Sequence, residues 1–153
     1  MYGSPSLYRR SVRGAMLLAV FAVAACSMNP TMSSTVVPLQ ATLSGAAEVP
    51  PKESPGSGTL EASFDKSTNL LKWKLTYSGL SGPASAAHFH GPAMAGANAG
   101  VVVPFSNPAS PIEGQATLTA AQAADLLDGK WYANVHTAAN PGGEIRGQVL
   151  PAK

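Results

Sequence analysis

Residues 70–77 read LLKWKLTY. On an extended backbone successive side chains point to opposite faces, so Leu71, Trp73, Leu75 and Tyr77 share one face while Lys72, Lys74 and Thr76 take the other. A helix of about 3.6 residues per turn would scatter the same residues around its circumference. The two-residue period recurs along the chain. Leu39, Ala41 and Leu43 alternate with Gln40, Thr42 and Ser44, and Leu60, Ala62 and Phe64 with Thr59, Glu61 and Ser63. Ile112 to Leu118 alternates again, as do Trp131 to His136 and Glu144 to Leu150. Clusters of Gly, Pro, Asn, Asp and Ser separate these runs. Short half-buried strands joined by tight turns predict an all-β chain, an antiparallel β-sandwich or small barrel.

Individual stretches refine this reading. DKSTN, residues 65–69, is a turn, which makes its flanking runs a β-hairpin. Ser85 to His90 is a short strand. Gly100 to Phe105, GVVVPF, is apolar on both faces like a more buried strand, although Pro104 pushes it toward an edge or bulge. TLTAAQAADLLDGK interrupts the β pattern: Thr119 and Gln122 have capping-box spacing and Gly129 stands where a C-terminal cap belongs, so one short helix is inserted there. Centring the last hairpin near Asn140-Pro141 aligns the apolar sets of both strands. That register sets His136 opposite Glu144, Asn134 opposite Arg146 and Tyr132 opposite Gln148.

The first residues follow a different logic. Arg9, Arg10 and Arg13 form a positive stretch with no acid among them, and Ala15 to Ala25 is an unbroken apolar run, too short to span a bilayer as a helix but suited to a signal-peptide core. The run ends in Val23-Ala24-Ala25-Cys26, which resembles the lipobox of bacterial lipoproteins, where the cysteine is lipidated and becomes the first mature residue. Cys26 is the only cysteine in the chain. The expected organisation is a signal peptide over 1–25, a Ser/Thr/Pro-rich flexible tether over 26–38 and a β domain over 39–150. The protein is then exported and anchored to the cell-envelope membrane through Cys26. Ser27, where an Asp would signal otherwise, resembles outer-membrane lipoproteins whose domain faces the periplasm. The mature domain has no disulfide to stabilise it. The formal charge of +2 also changes: without the three leader arginines, seven basic side chains face eight acidic ones. No basic face remains for nucleic acid, which is excluded as a partner.

AAHFHGPAMAGANAG (86–100) and LLDGKWYANVHTAANPGGEIRGQV (126–149) together resemble the CHRD domain, named after chordin and widespread in bacterial secreted proteins. The marks are H-x-H-G, a small-residue loop leading into a Val-rich strand, Y-x-N-V-H-T and P-G-G-E-I-R-G-Q, in that order. The resemblance covers about residues 39–150. It implies an immunoglobulin-like β-barrel distantly like copper/zinc superoxide dismutase, and little about activity. The positions matching its motifs are His88, His90, Gly91, Tyr132, Asn134, His136, Thr137, Gly143, Glu144, Arg146 and Gly147.

His88 and His90 are two apart on a strand and share a face, and Phe89 between them faces the core. His136 also falls on the polar face of its strand, so all three imidazoles are expected outside the hydrophobic interior. Converging, they would suit copper or zinc, with water or a carboxylate as a further ligand, Glu144 being that carboxylate or a partner of a ligand. Alternatively the histidines serve structure, bonding loop carbonyls or pairing with Glu144. Tyr132, Asn134, Glu144 and Arg146 read either as a charged recognition patch or as cross-strand pairs that fix register. GPAMAGANAG reads as a flexible surface loop; no Lys-Ser/Thr follows, so it is not a phosphate loop.

The bimetallic dismutase site needs more histidines than the three present, and nothing supports nucleophilic catalysis, since the one cysteine lies in the lipobox and no G-x-S-x-G occurs. The chain therefore reads as non-enzymatic. Its first expected role is a metal-binding module using His88, His90 and His136. A second is an interaction or adhesion module that binds a protein or glycan. A mononuclear metal redox enzyme is a further alternative. The anchor is directly testable: Cys26→Ser is expected to move the protein from the membrane to the soluble fraction, and continued retention in washed membranes would count against lipidation.

Overall fold

In a computed structural model the described residues are 1–3 and 34–153; the expected signal peptide from residue 4 on, Cys26 and the first part of the tether lie outside them. Eight strands carry the architecture: β1 (Val36–Ser44), β2 (Ser57–Asp65), β3 (Leu70–Ser78), β4 (Ala84–His90), β5 (Val101–Pro104), β6 (Ile112–Thr117), β7 (Trp131–Thr137) and β8 (Ile145–Pro151). They form one antiparallel sheet in the order β5-β4-β7-β8-β1-β2-β3-β6, curled into a nearly closed barrel. The short helix α1 (Ala120–Leu127) is inserted between β6 and β7. Among the described residues no helix is long and apolar enough to cross a membrane.

The alternation sets what faces inward. Leu39, Leu43, Leu60, Phe64, Leu71 and Leu75 are all buried on the β1–β3 side, and Phe89, Trp131, Val135, Ile145 and Val149 answer them from β4, β7 and β8. The two edge strands, β5 and β6, are not paired to each other. Aromatic packing holds the two edges of the sheet together from within: Trp73 stacks on Phe105 at 5.1 Å between centroids, Phe89 meets Trp73 edge-on at 5.2 Å, and Phe105 meets Phe89 at 4.9 Å. Such pairs contribute beyond their buried area. The segment joining β5 to β6 crosses the gap, where Tyr77 donates its hydroxyl to the Pro108 carbonyl and its backbone N–H to Ser110 Oγ.

The 65–69 turn joins β2 and β3 as expected, with Asp65 paired to Leu70. Thr119 and Gln122 form the expected capping box, and Gly129, at φ +70°, follows the helix in the left-handed region that favours glycine. One expectation is corrected, and one alternative is decided. β1 begins at Val36, ahead of Leu39, because Val36, Val37 and Pro38 already pair with Asp65, Phe64 and Ser63. β5 is not a buried strand. It is the short edge strand toward which Pro104 pointed, with Val101 exposed, since it pairs on one side only, with β4.

Gly147 lets β8 lie close to β1: a Cβ there would collide with the Thr42 carbonyl oxygen. Because that obstacle is backbone, it cannot swing away. Gly147→Ala is expected to destabilise the domain by at least about 1 kcal/mol, read as a lower midpoint in urea unfolding. A midpoint equal to wild type would show that the β1–β8 seam tolerates the extra methyl.

Candidate metal centre on the outer face of β4 and β7

β7 pairs with β4 on one side and β8 on the other, setting Asn134 opposite both His88 and Arg146, and Tyr132 opposite both His90 and Gln148. The expected pairs Asn134–Arg146 and Tyr132–Gln148 are observed, while the ladder ends at Val135–Ile145, short of the expected His136–Glu144 pair. Trp131, Ala133 and Val135 point into the barrel, so Tyr132, Asn134 and His136 point outward with His88, His90 and Arg146.

Outward does not mean into water here. Every residue of β7 is buried, and on the outer face His90 is 8 % exposed, His136 9 %, Asn134 3 %, Tyr132 3 % and Arg146 1 %. The cover is the 91–100 segment, which is a tied lid instead of a flexible surface loop. Arg146 donates to Ala97 O at 2.6 Å and Asn98 Oδ1 at 2.9 Å. Gln148 donates to Ala93 O at 2.8 Å, and Tyr132 exchanges hydrogen bonds with the backbone of Ala99. Asn98 also donates to the Val49 carbonyl, which joins the lid to the stretch between β1 and β2. The carbonyls of Ala93, Ala97 and Ala99 and the one polar side chain, Asn98, make the segment adhesive, a property its small-residue composition conceals.

Beneath this cover the three imidazoles converge. One nitrogen from each of His88, His90 and His136 can be chosen so that all lie within 4.8 Å of one another. His88 Nδ1 is 3.2 Å from His136 Nε2. His136 Nδ1 faces the Pro141 carbonyl at 3.0 Å, and His90 Nδ1 faces the Ala99 carbonyl at 3.0 Å. Asn134 Oδ1 lies between the two remaining nitrogens, 3.0 Å from His90 Nε2 and 2.9 Å from His136 Nε2. The His90 ring stacks on Tyr132 at 4.8 Å, and the Arg146 guanidinium lies 3.4 Å from the Tyr132 ring centroid. Burial, followed by the neighbouring imidazoles His136 and His90, pushes the His88 pKa down. Burial likewise lowers His136, against the Pro141 carbonyl, which favours its charged form. Neutral rings carry free lone pairs, so three nitrogens at this spacing could hold a transition-metal ion.

Glu144 does not join them. It stands just ahead of β8, beyond the last ladder pair Val135–Ile145, so its side chain is released from the strand's alternation. Its carboxylate turns to other partners, accepting from Ser54 Oγ at 2.8 Å, the Ser81 N–H at 2.7 Å, and Ser81 Oγ and Thr137 Oγ1 at 2.6 Å each. The expected recognition patch is not exposed either. Tyr132, Asn134 and Arg146 are buried, and ion pairs among the described residues are confined to Lys74–Glu113 and Lys130 with Asp125 and Asp128.

The acid that approaches the centre is Glu48, which sequence reasoning missed. It lies just after the 3₁₀ turn Gly45–Ala47, is 5 % exposed, and its side chain meets the Asn134 amide. Burial raises its pKa, opposed chiefly by the charge of Arg146. The one signal in the sequence was an isolated acid within the apolar stretch Ala46-Ala47-Glu48-Val49-Pro50.

Comparison with known families supports the sequence resemblance: the model of the CHRD domain matches residues 39–149. No curated protein and no solved structure matches the chain.

Glu144 yields a pH prediction. Burial alone would raise its pKa, but the hydroxyl and amide donors of Ser81, Thr137 and Ser54 outweigh it and hold the value at about 2, against an ordinary 4.5. A carboxylate with a depressed folded-state pKa stabilises the fold above its ordinary value and loses that contribution as pH falls toward the folded one. Glu144→Gln is expected to cost on the order of 2 kcal/mol near neutral pH, and the gap to wild type to narrow between about pH 4.5 and 2. Urea unfolding at several pH values checks this; a gap unchanged at about pH 3 would contradict it.

Proposed function

The chain belongs to the CHRD domain family, a family of extracellular domains, and we propose that it is a non-enzymatic, lipid-anchored envelope protein that binds a divalent transition metal, copper or zinc, through His88, His90 and His136. Convergence of the three imidazoles within 4.8 Å carries the reading. Zinc–nitrogen bonds of about 2.0–2.1 Å require only a contraction of that triangle. Two of the rings are fixed from behind by backbone carbonyls, the arrangement that orients metal-binding histidines elsewhere. Anchoring through Cys26, with the domain facing the periplasm from the outer membrane, completes the proposal and rests on the leader sequence alone.

The second reading is an interaction module for a protein or glycan in which the histidines are structural. The internal hydrogen bonds of each ring favour it. Titration calorimetry with Cu²⁺ and Zn²⁺ on the full chain separates the two. The metal reading expects one ion per chain and at least about 10-fold weaker binding by His88→Ala. Equal, weak binding by wild type and variant would reject the metal centre and leave the structural reading.

A further inference from the structure

We propose that Asn134 supplies a fourth donor to this centre through its amide oxygen, making it an N₃O site suited to a divalent cation; the inference rests on the three-histidine reading above. The first step concerns hydrogens. The Ala99 and Pro141 carbonyls can only accept, so His90 and His136 must each carry a proton on Nδ1 to meet them. A neutral ring protonated on Nδ1 presents a bare lone pair at Nε2. Both such lone pairs face Asn134 Oδ1, itself an acceptor, at 3.0 and 2.9 Å. His88 can donate from Nδ1 to the His136 lone pair, but Asn134 Oδ1 still faces two acceptors at hydrogen-bond distance with no hydrogen between them, a repulsion that a cation held by all of them would relieve. Charging both rings would instead place two cations with centroids 6.3 Å apart in a site nine-tenths shielded from water. One metal ion serves every lone pair at once.

The spacing agrees. Four ligands about 2.0–2.1 Å from a tetrahedral centre stand roughly 3.3 Å apart. Three of the six ligand–ligand edges are already near that length: Asn134 Oδ1 to His136 Nε2 at 2.9 Å, Asn134 Oδ1 to His90 Nε2 at 3.0 Å, and His88 Nδ1 to His136 Nε2 at 3.2 Å.

The far side of the amide explains why its oxygen points at the histidines. The Asn134 NH₂ group lies on the side of Glu48, whose buried Oε1 has no hydrogen-bond partner. Turning the amide over would set its oxygen against that carboxylate. Gly143 makes the arrangement possible, because a Cβ there would collide with Glu48 Oε1 and come within 2.9 Å of Asn134 Nδ2. The carboxylate behind the amide also brings negative charge toward a bound cation. An N₃O set without sulfur suits Cu²⁺ or Zn²⁺, whereas monovalent copper selects thiolate and thioether ligands.

The test is Cu²⁺ binding by the full chain, with affinity from competition against a chelator and coordination from electron paramagnetic resonance. Asn134→Ala is expected to lose about 10- to 100-fold in affinity and to shift the copper hyperfine pattern as water replaces the amide oxygen. Asn134→Asp, which keeps an oxygen at that position, is expected to retain the wild-type donor set. An alanine variant matching wild type in both affinity and spectrum overturns the fourth ligand and leaves the three-histidine site standing. Failure of wild type to bind Cu²⁺ overturns both. Should the alanine variant not fold, the aspartate variant decides: a wild-type donor set supports the assignment, and a three-nitrogen set with water rejects it.

Discussion

The Arg146 guanidinium lies on the Tyr132 ring and donates to Ala97 O and Asn98 Oδ1. Those contacts fasten the 91–100 segment over the outer face of β4, β7 and β8. Without them that face would be the wetted side of an antiparallel sheet, and its polar residues would sit in bulk water. With them the barrel acquires a second interior, small and polar, on the other side of β7 from the aromatic core. The positive charge is met by two carbonyl-type oxygens, a π face and the longer-range field of Glu48, with no direct ion pair. Truncating Arg146 would thus remove packing and lid attachment together with charge.

The domain buries two carboxylates and solves the problem differently for each. Glu144 gathers four donors, three hydroxyls and one backbone N–H, and stays ionised far below the ordinary carboxylate range. In doing so it ties the segments around Ser54 and Ser81 to the end of β7. Glu48 has no comparable set of donors: one oxygen is unpartnered, and burial drives its pKa upward. A fully satisfied buried carboxylate reads as architecture. An unsatisfied one beside a cluster of imidazoles leaves an electrostatic demand that a cation would answer.

Much of this was legible from the period of two. It placed Leu71, Trp73 and Leu75 inside, paired Asn134 with Arg146 and Tyr132 with Gln148, and put His88, His90 and His136 on one surface, because a one-residue slip would exchange the two faces. What it could not show was whether the second face stays wet. Alternation records which residues share a face, while cover comes from loops, and GPAMAGANAG offers no large side chain to announce that it packs. The same blindness misassigned the acid. The expected register set Glu144 opposite His136, but the ladder ends at Val135–Ile145 and the Glu144 side chain turns away. Glu48 arrives from a connection between β1 and β2 whose path over the sheet is a property of the folded chain.

The two faces of β7 divide the work. Trp131, Ala133 and Val135 belong to a core continuous with Phe89, Phe105 and Trp73, which stabilises the barrel without a disulfide among the described residues. Tyr132, Asn134 and His136 contribute nothing to that core and cost desolvation, offset by their partners under the lid. A chain selected for stability alone would do better with apolar residues there, since replacing buried polar networks by well-packed hydrophobic residues is often neutral or stabilising. Three imidazoles, an amide whose oxygen faces two of them and an unsatisfied carboxylate behind it amount to a costly way to fill a surface groove. Rigid strands on both sides hold these donors at fixed spacing, which a site built on loops would achieve less accurately. The expense is accounted for if the donors meet a cation, and that ties the chemistry of the outer face to the strand pairing that the apolar inner face enforces.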